Sequence, residues 1–172
     1  MSQSVTTATF DARQFRDTLG HYASGITIVS GYEGGEPVGF TCQSFYSVSM
    51  QPPLVSFSVM KNSTTYPRIA AGGKFAVNVL ARDQHHISNQ FARKGTDKWA
   101  GIRWLSAESG NPIIADTLMW VDCEIWAEYE AGDHLIVIGR AIAMSSAAWH
   151  RHDPLLYFRG TYRHLREIEE DC

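Results

Sequence analysis

The sequence lacks the features that mark several common classes of protein. Its 172 residues contain no apolar run of about 18 residues, which a membrane helix needs, and the first residues have neither the basic nor the apolar part of a signal peptide. The formal net charge is only -3, so no basic surface for nucleic acid is indicated. We therefore expect a cytoplasmic protein that binds neither membranes nor nucleic acid.

Cysteines and known nucleotide motifs are also scarce. Cys42, Cys123 and Cys172 form no close pair and no zinc-type spacing. There is no GxGxxG fingerprint, the Gly-Gly-Lys run has the wrong spacing for a phosphate loop, and no Ser or Cys lies in a GxSxG turn. A disulfide framework is therefore not expected, and Cys42 is predicted to be a small buried hydrophobic residue.

The seven histidines do not form a convincing metal site. His85 and His86 are adjacent, so on a helix they would point about 100° apart. His150 and His152 could share a strand face, but they lack a third ligand. No metal is predicted. His134 follows a Gly-Asp turn at a strand end, although its position alone fits an ordinary surface histidine better.

Length and patterning indicate one globular domain. Apolar residues make up 44% of the chain and charged residues 19%, as in globular proteins. Short helical patterns interrupt many strand patterns without regular βα alternation, which favours an α+β, mainly β, domain on a barrel-like sheet. We expect tails at 1–9 and 169–172 around a single domain at 10–168.

Individual elements follow from periodicity and turn residues. Helices are predicted within 11–25, within 61–73 and within 82–95, where Ile87 and Phe91 share a face, Asp83 would cap the helix and Gly95 would end it. Residues 96–112 carry few periodic cues and are expected to form a long loop. Strands are predicted at 26–29, 38–41, 54–59, 74–80, 119–131, 134–146 and 155–165.

The stretch GFTCQSFYSVSMQPPLVSFSV, residues 39–59, combines apolar residues with small polar ones. In one continuous strand, Thr41, Gln43 and Phe45 would share a face that Ser47 and Ser49 continue if no bulge intervenes. Such a face, polar but uncharged, suits the hydrogen-bonding edge of a planar heterocycle. It equally suits the solvent side of a half-buried sheet, and the pattern does not choose between these interpretations.

The same stretch resembles the flavin-binding signature of the short-chain flavin reductases, the NAD(P)H-dependent partners of two-component flavin monooxygenases. FRDTLGHYASGITIVS, KFAVNVLARDQHHISNQFARKGTDKWAG, GDHLIVIGRA and PLLYFRGTYRHL are similar to further blocks of that family, in the same order. The resemblance therefore covers most of the chain. It implies a split β-barrel with short peripheral helices that forms a homodimer and binds flavin near the subunit interface.

The resemblance also implies roles for individual residues. The histidine beside the nicotinamide would be His134. The flavin ring and ribityl chain would be lined by Phe40, Thr41, Gln43, Ser44, Ser47, Val48 and Ser49. The ribityl and phosphate end would be served by Ser58, Ser63 and Thr64, and the phosphate or adenylate side by Phe91, Arg93 and Lys98. Tyr157 and Arg159 would lie close to the flavin, either binding it or packing a dimer.

The implied reaction is reduction of FMN or FAD by NADH, with NADPH also open, through hydride transfer from nicotinamide C4 to flavin N5. No general base is needed for this step. The reduced flavin would then go to a separate monooxygenase. The alternatives are a flavin-binding electron carrier or sensor on the same barrel, or a relative that reduces a flavin-bound corrinoid or other carrier.

Overall fold

The structure is a computed structural model that describes residues 11–149 and 152–166. The two predicted tails, His150 and Cys172 lie outside these ranges. The helices are α1 Ala12–Leu19, α2 Tyr66–Ala70 and α3 His85–Ala92, with a 3-10 helix at Ala147–Trp149. The strands are β1 Ser24–Gly25, β2 Thr27–Glu33, β3 Glu36–Cys42, β4 Tyr46–Met50, β5 Pro53–Met60, β6 Lys74–Val79, β7 Trp104–Ser106, β8 Pro112–Ile114, β9 Met119–Ala131, β10 His134–Met144, β11 Leu156–Phe158 and β12 Thr161–Arg163.

Seven antiparallel strands form the main sheet, in the order β3-β2-β6-β9-β10-β5-β4. Two small sheets accompany it, β1-β11-β12 and β7-β8. The prediction of a mainly β domain with short helices is confirmed. No helix among the described residues is both long and apolar enough to cross a bilayer.

The long hairpin of β9 and β10 lies in the middle of this sheet. β9 alternates in sequence between apolar and polar residues, as predicted, whereas β10 is a long, mainly apolar strand. The predicted two-residue turn at Gly132-Asp133 joins them. Gly132 has a φ of +64°, which glycine adopts without the steric cost of a Cβ. The turn therefore sets the register that brings His134 to the first position of β10.

Helix α3 confirms its predicted apolar face but not its predicted ends. Ile87 and Phe91 are both buried. The N-cap position belongs to Gln84 rather than Asp83, and the Gln84 side chain makes no capping hydrogen bond. Its oxygen instead accepts a hydrogen bond from the amide of Ala81, upstream of the helix, at 2.9 Å. The helix ends at Ala92, where the chain becomes extended, before Gly95 is reached. Helix α1 likewise stops before Gly25, at Gly20, and Gly25 belongs to β1.

The prediction of a long loop at 96–112 is wrong in part. Trp104–Ser106 forms β7 and pairs with β8, Pro112–Ile114, so the segment contains one arm of a hairpin. Strands of three residues are too short to show a period of two. Only the pairing, which lies outside the local sequence, defines them.

The polar stretch at 39–59 is not the continuous strand that its alternation suggested. β3 ends at Cys42, residues 43–45 are irregular, and a register shift divides β4 between Ser47 and Ser49. The reason is topological: β3 and β4 are the two opposite edges of the main sheet, so the chain must leave one edge to reach the other. Residues 43–45, which we call the crossing segment, make this passage.

Ser44 anchors the crossing segment to β5. Its hydroxyl accepts a hydrogen bond from the Ser58 amide at 2.8 Å and donates one to the Ser58 carbonyl at 3.1 Å. Four strands separate β3 from β5 in the sheet order, yet Phe40 of β3 and Phe57 of β5 stack edge to face with ring centroids 6.0 Å apart. The sheet is therefore strongly curled, with its core on the concave side.

The core inside this curl is largely aromatic and β-branched. Phe57 contacts the rings of Phe40, Tyr66 and Phe75 and is 0% exposed. Cys42 belongs to the same cluster, which confirms that it is a small buried residue, and burial raises the pKa of its thiol. Edge-to-face contacts of this kind add to the free energy gained by burying each ring.

Candidate functional site

A cavity of about 520 Å³ lies where the crossing segment meets the ends of β3 and β5, the C-terminal part of α3 and the start of β10. We call it the main cavity. Its size falls in the range of small-molecule sites in proteins. Ten of the sixteen predicted site residues line it, namely Phe40, Thr41, Gln43, Ser44, Ser58, Ser63, Thr64, Phe91, Lys98 and His134.

The wall from β3 and the crossing segment is polar and carries no charged side chain. Thr41 donates its hydroxyl hydrogen to the Ser88 carbonyl at 2.7 Å, so its oxygen can still accept a bond. Ser44 is already bonded to both backbone groups of Ser58. The Gln43 amide bonds to no other described residue. Gln43 is thus the side chain of this wall with the most hydrogen-bonding capacity left for a ligand.

Two lysines lie at another part of the cavity. Lys98 donates a hydrogen bond to the Gly39 carbonyl at 3.3 Å, and burial lowers the pKa of its ammonium group. Lys94 lines the same cavity and is exposed. An ammonium with three donors, of which one is used, retains donors for an anion. This part of the cavity suits a phosphate group.

His134 lies at the mouth of the cavity, with 40% of its side chain exposed. Its Nδ1 is 2.6 Å from Oδ1 of Asp133, and this contact lowers the pKa of the Asp133 carboxyl. With Nδ1 held by the carboxylate, the ring's other nitrogen, Nε2, is left for a ligand. The sequence placed His134 at a strand end, and that placement is confirmed.

Six predicted residues do not line the main cavity. Ser47, Val48 and Ser49 belong to the edge strand β4, where the first two are exposed. Arg93 is exposed beyond the end of α3. Their assignments as flavin contacts therefore rest on the resemblance alone.

The other two, Tyr157 and Arg159, line a second cavity of about 740 Å³ beside helix α1. We call it the helix cavity. Gln43 lines both cavities, so the crossing segment stands between them.

Several lining residues were not predicted. They are Cys42, Val59, Met60, Asn62, Thr65, Ala92 and Lys94. Most are immediate sequence neighbours of predicted residues. Of these residues, only Lys94 could have been predicted from its own residue type, because it lies close to Lys98 in a basic segment. No three His, Cys, Asp or Glu side chains within 11–149 and 152–166 group closely enough to hold a metal ion.

The antiparallel sheet is curled, and its cavity combines an uncharged hydrogen-bonding wall with a pair of lysines. A protein with such a cavity can hold a flat polar ring that carries a phosphate. The comparisons with known proteins agree with this class. The family model described as flavin reductase like domain matches residues 19–166. The chain belongs to this family.

Named relatives share most of the chain. The reductase subunit HsaB of a flavin-dependent monooxygenase from Mycobacterium tuberculosis is 41% identical over 155 residues, which are 90% of this chain and 83% of that protein. The FMN reductase (NADH) SmoA of Agrobacterium fabrum is 36% identical, over 88% of this chain and 85% of its own.

Solved structures agree with the fold. A nitrilotriacetate monooxygenase component B homologue from Mycobacterium thermoresistibile superposes with a TM-score of 0.87 at 40% identity, covering 90% of this chain and 86% of that one. The NADH:FAD oxidoreductase SgcE6 of Streptomyces globisporus, in complex with NAD and FAD fragments, gives a TM-score of 0.86 at 34% identity, covering 93% and 96%.

Proposed function

We propose that this protein is an NADH-dependent flavin reductase that reduces FMN or FAD and supplies the product to a separate flavin-dependent monooxygenase. The family and the names of its relatives support the reaction. One structural observation carries the proposal: a single cavity joins an uncharged polar wall, a lysine pair and His134. NADPH remains a second reductant to test.

The residues of the main cavity fit a flavin. The unpaired Gln43 amide and the Thr41 oxygen can hydrogen-bond the polar edge of the ring system. Ser63, Thr64 and Lys98, with Lys94, would hold the phosphate end. When bound, the flavin accepts a hydride from the nicotinamide at N5. The protein's task is to bring the two rings together and to stabilise negative charge with neutral donors, so no general base is needed.

His134 would contact the nicotinamide. Asp133 holds Nδ1 of its ring, which leaves Nε2 to bond the carboxamide of the reductant. Ser44 would hold the crossing segment against β5 and also line the flavin site. Its one hydroxyl hydrogen is used by the Ser58 carbonyl, so toward the flavin the oxygen would act only as an acceptor.

The reaction itself is tested by following NADH absorbance at 340 nm with FMN and then FAD. We expect flavin-dependent NADH oxidation with at least one flavin, at turnover numbers of about 1 to 1,000 per second, as in most enzymes. Running both flavins with both NADH and NADPH fixes the preferred pair. A protein that retained bound flavin but left NADH unchanged would instead be an electron carrier or sensor, and the reductase proposal would fail.

A homodimer and a closed, split barrel are also part of the proposal. Within the described ranges, the edge strand β4 pairs only with β5, and it presents Tyr46, Val48 and Met50, the last 88% exposed. An exposed apolar edge strand invites pairing with another chain. A second copy covering β4 would bring Ser47 and Ser49 to a subunit interface. We further propose that the protein acts in the cytoplasm.

Placing a charge on this edge tests the dimer. Met50→Glu is expected to shift the protein from dimer to monomer in sedimentation velocity, because a carboxylate cannot be buried there without a partner. Leu165→Glu, at a side chain 57% exposed and far from β4 in sequence, is the matched control and should stay dimeric. A monomeric parent protein, or a Met50→Glu variant that remains a dimer, would contradict the proposed interface.

A further inference from the structure

The helix cavity lies between α1 and the turn that joins β11 to β12. The backbone amide of Arg159 in that turn donates a hydrogen bond to the Gly20 carbonyl at 2.9 Å, which fixes the turn against the end of α1. Arg16 from the helix and Arg159 from the turn both line the cavity. Two arginines that are far apart in the sequence are thus brought to one site.

Neither guanidinium has a partner among the described residues. By contrast, Arg68, Arg103 and Arg140 each pair with a carboxylate. The one carboxylate of the cavity, Asp17, already has a neighbour outside it, since its Oδ2 lies 3.9 Å from Nε of Arg13 on the same helix. The cavity therefore offers two free guanidinium groups, which bind phosphates through paired hydrogen bonds.

Arg159 occupies a position that does not suit an arginine. The two-residue turn Arg159-Gly160 has φ angles of +50° and +77°. A turn with positive φ at both central residues strongly prefers Asn-Gly or Asp-Gly. A bulky side chain in the left-handed region costs free energy, so its presence points to a use for the side chain itself.

Besides the polar residues His21, Ser24 and Gln43, the remaining lining is largely aromatic and apolar. Helix α1 buries none of its own residues, and Phe15 and Leu19 on its apolar side are each 55% exposed and line the cavity. Tyr22 and Tyr157 line it as well. Flat apolar groups beside guanidinium groups are what a base attached to phosphates needs, because the base can stack while the phosphates pair with arginine.

We propose that the helix cavity binds the ADP portion of the reduced nicotinamide dinucleotide, with Arg16 and Arg159 on the diphosphate and the aromatic side chains around the adenine. Gln43 lines both cavities, so a dinucleotide seated here reaches past it into the main cavity, where its nicotinamide meets His134. This assignment rests on the proposed function for the identity of the reductant. It gives Arg159 a role toward the reductant rather than toward the flavin.

The test compares NADH with reduced nicotinamide mononucleotide, which carries the same reacting ring but no ADP. Arg159→Asn removes the guanidinium while suiting the turn, and Arg16→Gln removes the other. For each variant the KM for NADH is expected to rise roughly tenfold, as for a lost charge-assisted hydrogen bond, with kcat and the KM for flavin little changed. Turnover with the mononucleotide should be unaffected. Arg163→Asn, at an exposed arginine outside both cavities, is the control.

A binding measurement separates this inference from the proposed reaction. ADP-ribose, titrated calorimetrically into the full-length protein without flavin, is expected to bind the parent chain and the Arg163→Asn variant and to bind the other two variants about tenfold more weakly. That result supports the inference even if the protein fails to oxidise NADH. Equal losses with NADH and the mononucleotide, unchanged ADP-ribose affinity, or a shift to monomer in sedimentation, which would mean that a second copy occupies the cavity, would each overturn it.

Discussion

Replacing Phe57 by alanine is expected to lower the free energy of unfolding by about 4 kcal/mol, the usual range for deleting a fully buried aromatic ring. Phe57 has no exposed surface, and its ring touches those of Phe40, Tyr66 and Phe75, at centroid distances of 6.0, 6.0 and 5.1 Å. The loss is large because the cavity left behind removes three ring contacts at once. Urea unfolding at one fixed protein concentration measures it.

Two variants keep this prediction testable if the alanine variant does not fold. Phe57→Leu retains most of the apolar volume and should cost less than about 1.5 kcal/mol. Phe15→Ala removes the same side chain from an exposed position on α1 and should change the free energy of unfolding by no more than about 0.5 kcal/mol. If Phe57→Leu and Phe15→Ala were equally mild and Phe57→Ala cost under about 1 kcal/mol, the core assigned here would be wrong.

Removing the imidazole of His134 is expected to lower kcat/KM for NADH about 100-fold while changing the KM for flavin less than about threefold. The reason is that His134 is proposed to bond the nicotinamide and not the flavin, and a bond to a polar ligand group contributes on the order of 2 to 3 kcal/mol when it is lost. Steady-state kinetics of His134→Ala, with each substrate varied in turn, give both constants. Circular dichroism verifies that the variant folds.

His164→Ala is the matched control, because His164 is exposed and lines neither cavity. His134→Asn tests the chemistry further, since an amide can donate one hydrogen bond in place of the ring and should recover part of the activity. Equal losses toward NADH and flavin would place His134 at the flavin instead. If the His134→Ala variant lost no activity, His134 would not belong to the site.

The sequence predicted most of the sheet because its longest strands carry their own pattern. β9 alternates between apolar and polar residues, β10 is a long, mainly apolar strand, and a Gly-Asp turn joins them, so the sequence alone predicts their pairing. β7 and β8 are three residues each, and they are defined only by their pairing with each other. The prediction of a continuous strand through the crossing segment was wrong for a related reason. The alternation continues through residues 43–45, and only the order of the strands shows that the chain passes there from one edge of the sheet to the other.

The residues of the candidate site also differ in whether the sequence could predict them. The resemblance of the signature stretch and of the Gly-Asp-His turn to the flavin reductases implied Thr41, Gln43 and His134, which the fold brings to one cavity. Arg16 and Arg159 share a cavity through the packing of a helix end on a distant turn, and nothing in either local sequence announces this. Residues that meet only through tertiary packing leave no periodic trace.

The curled sheet has a consequence for how the site comes into being. The cavity draws on β3, β5, α3 and β10. β10 pairs with β5 at sequence separations that run from 74 residues, for His134 with Met60, to 86 residues, for Arg140 with Leu54. Domains dominated by such distant contacts have a high contact order and fold slowly, since loop-closure entropy must be overcome before the contacts form. The cavity is therefore complete only when β5 and β10 have paired, and a fragment that lacks either strand lacks part of its wall.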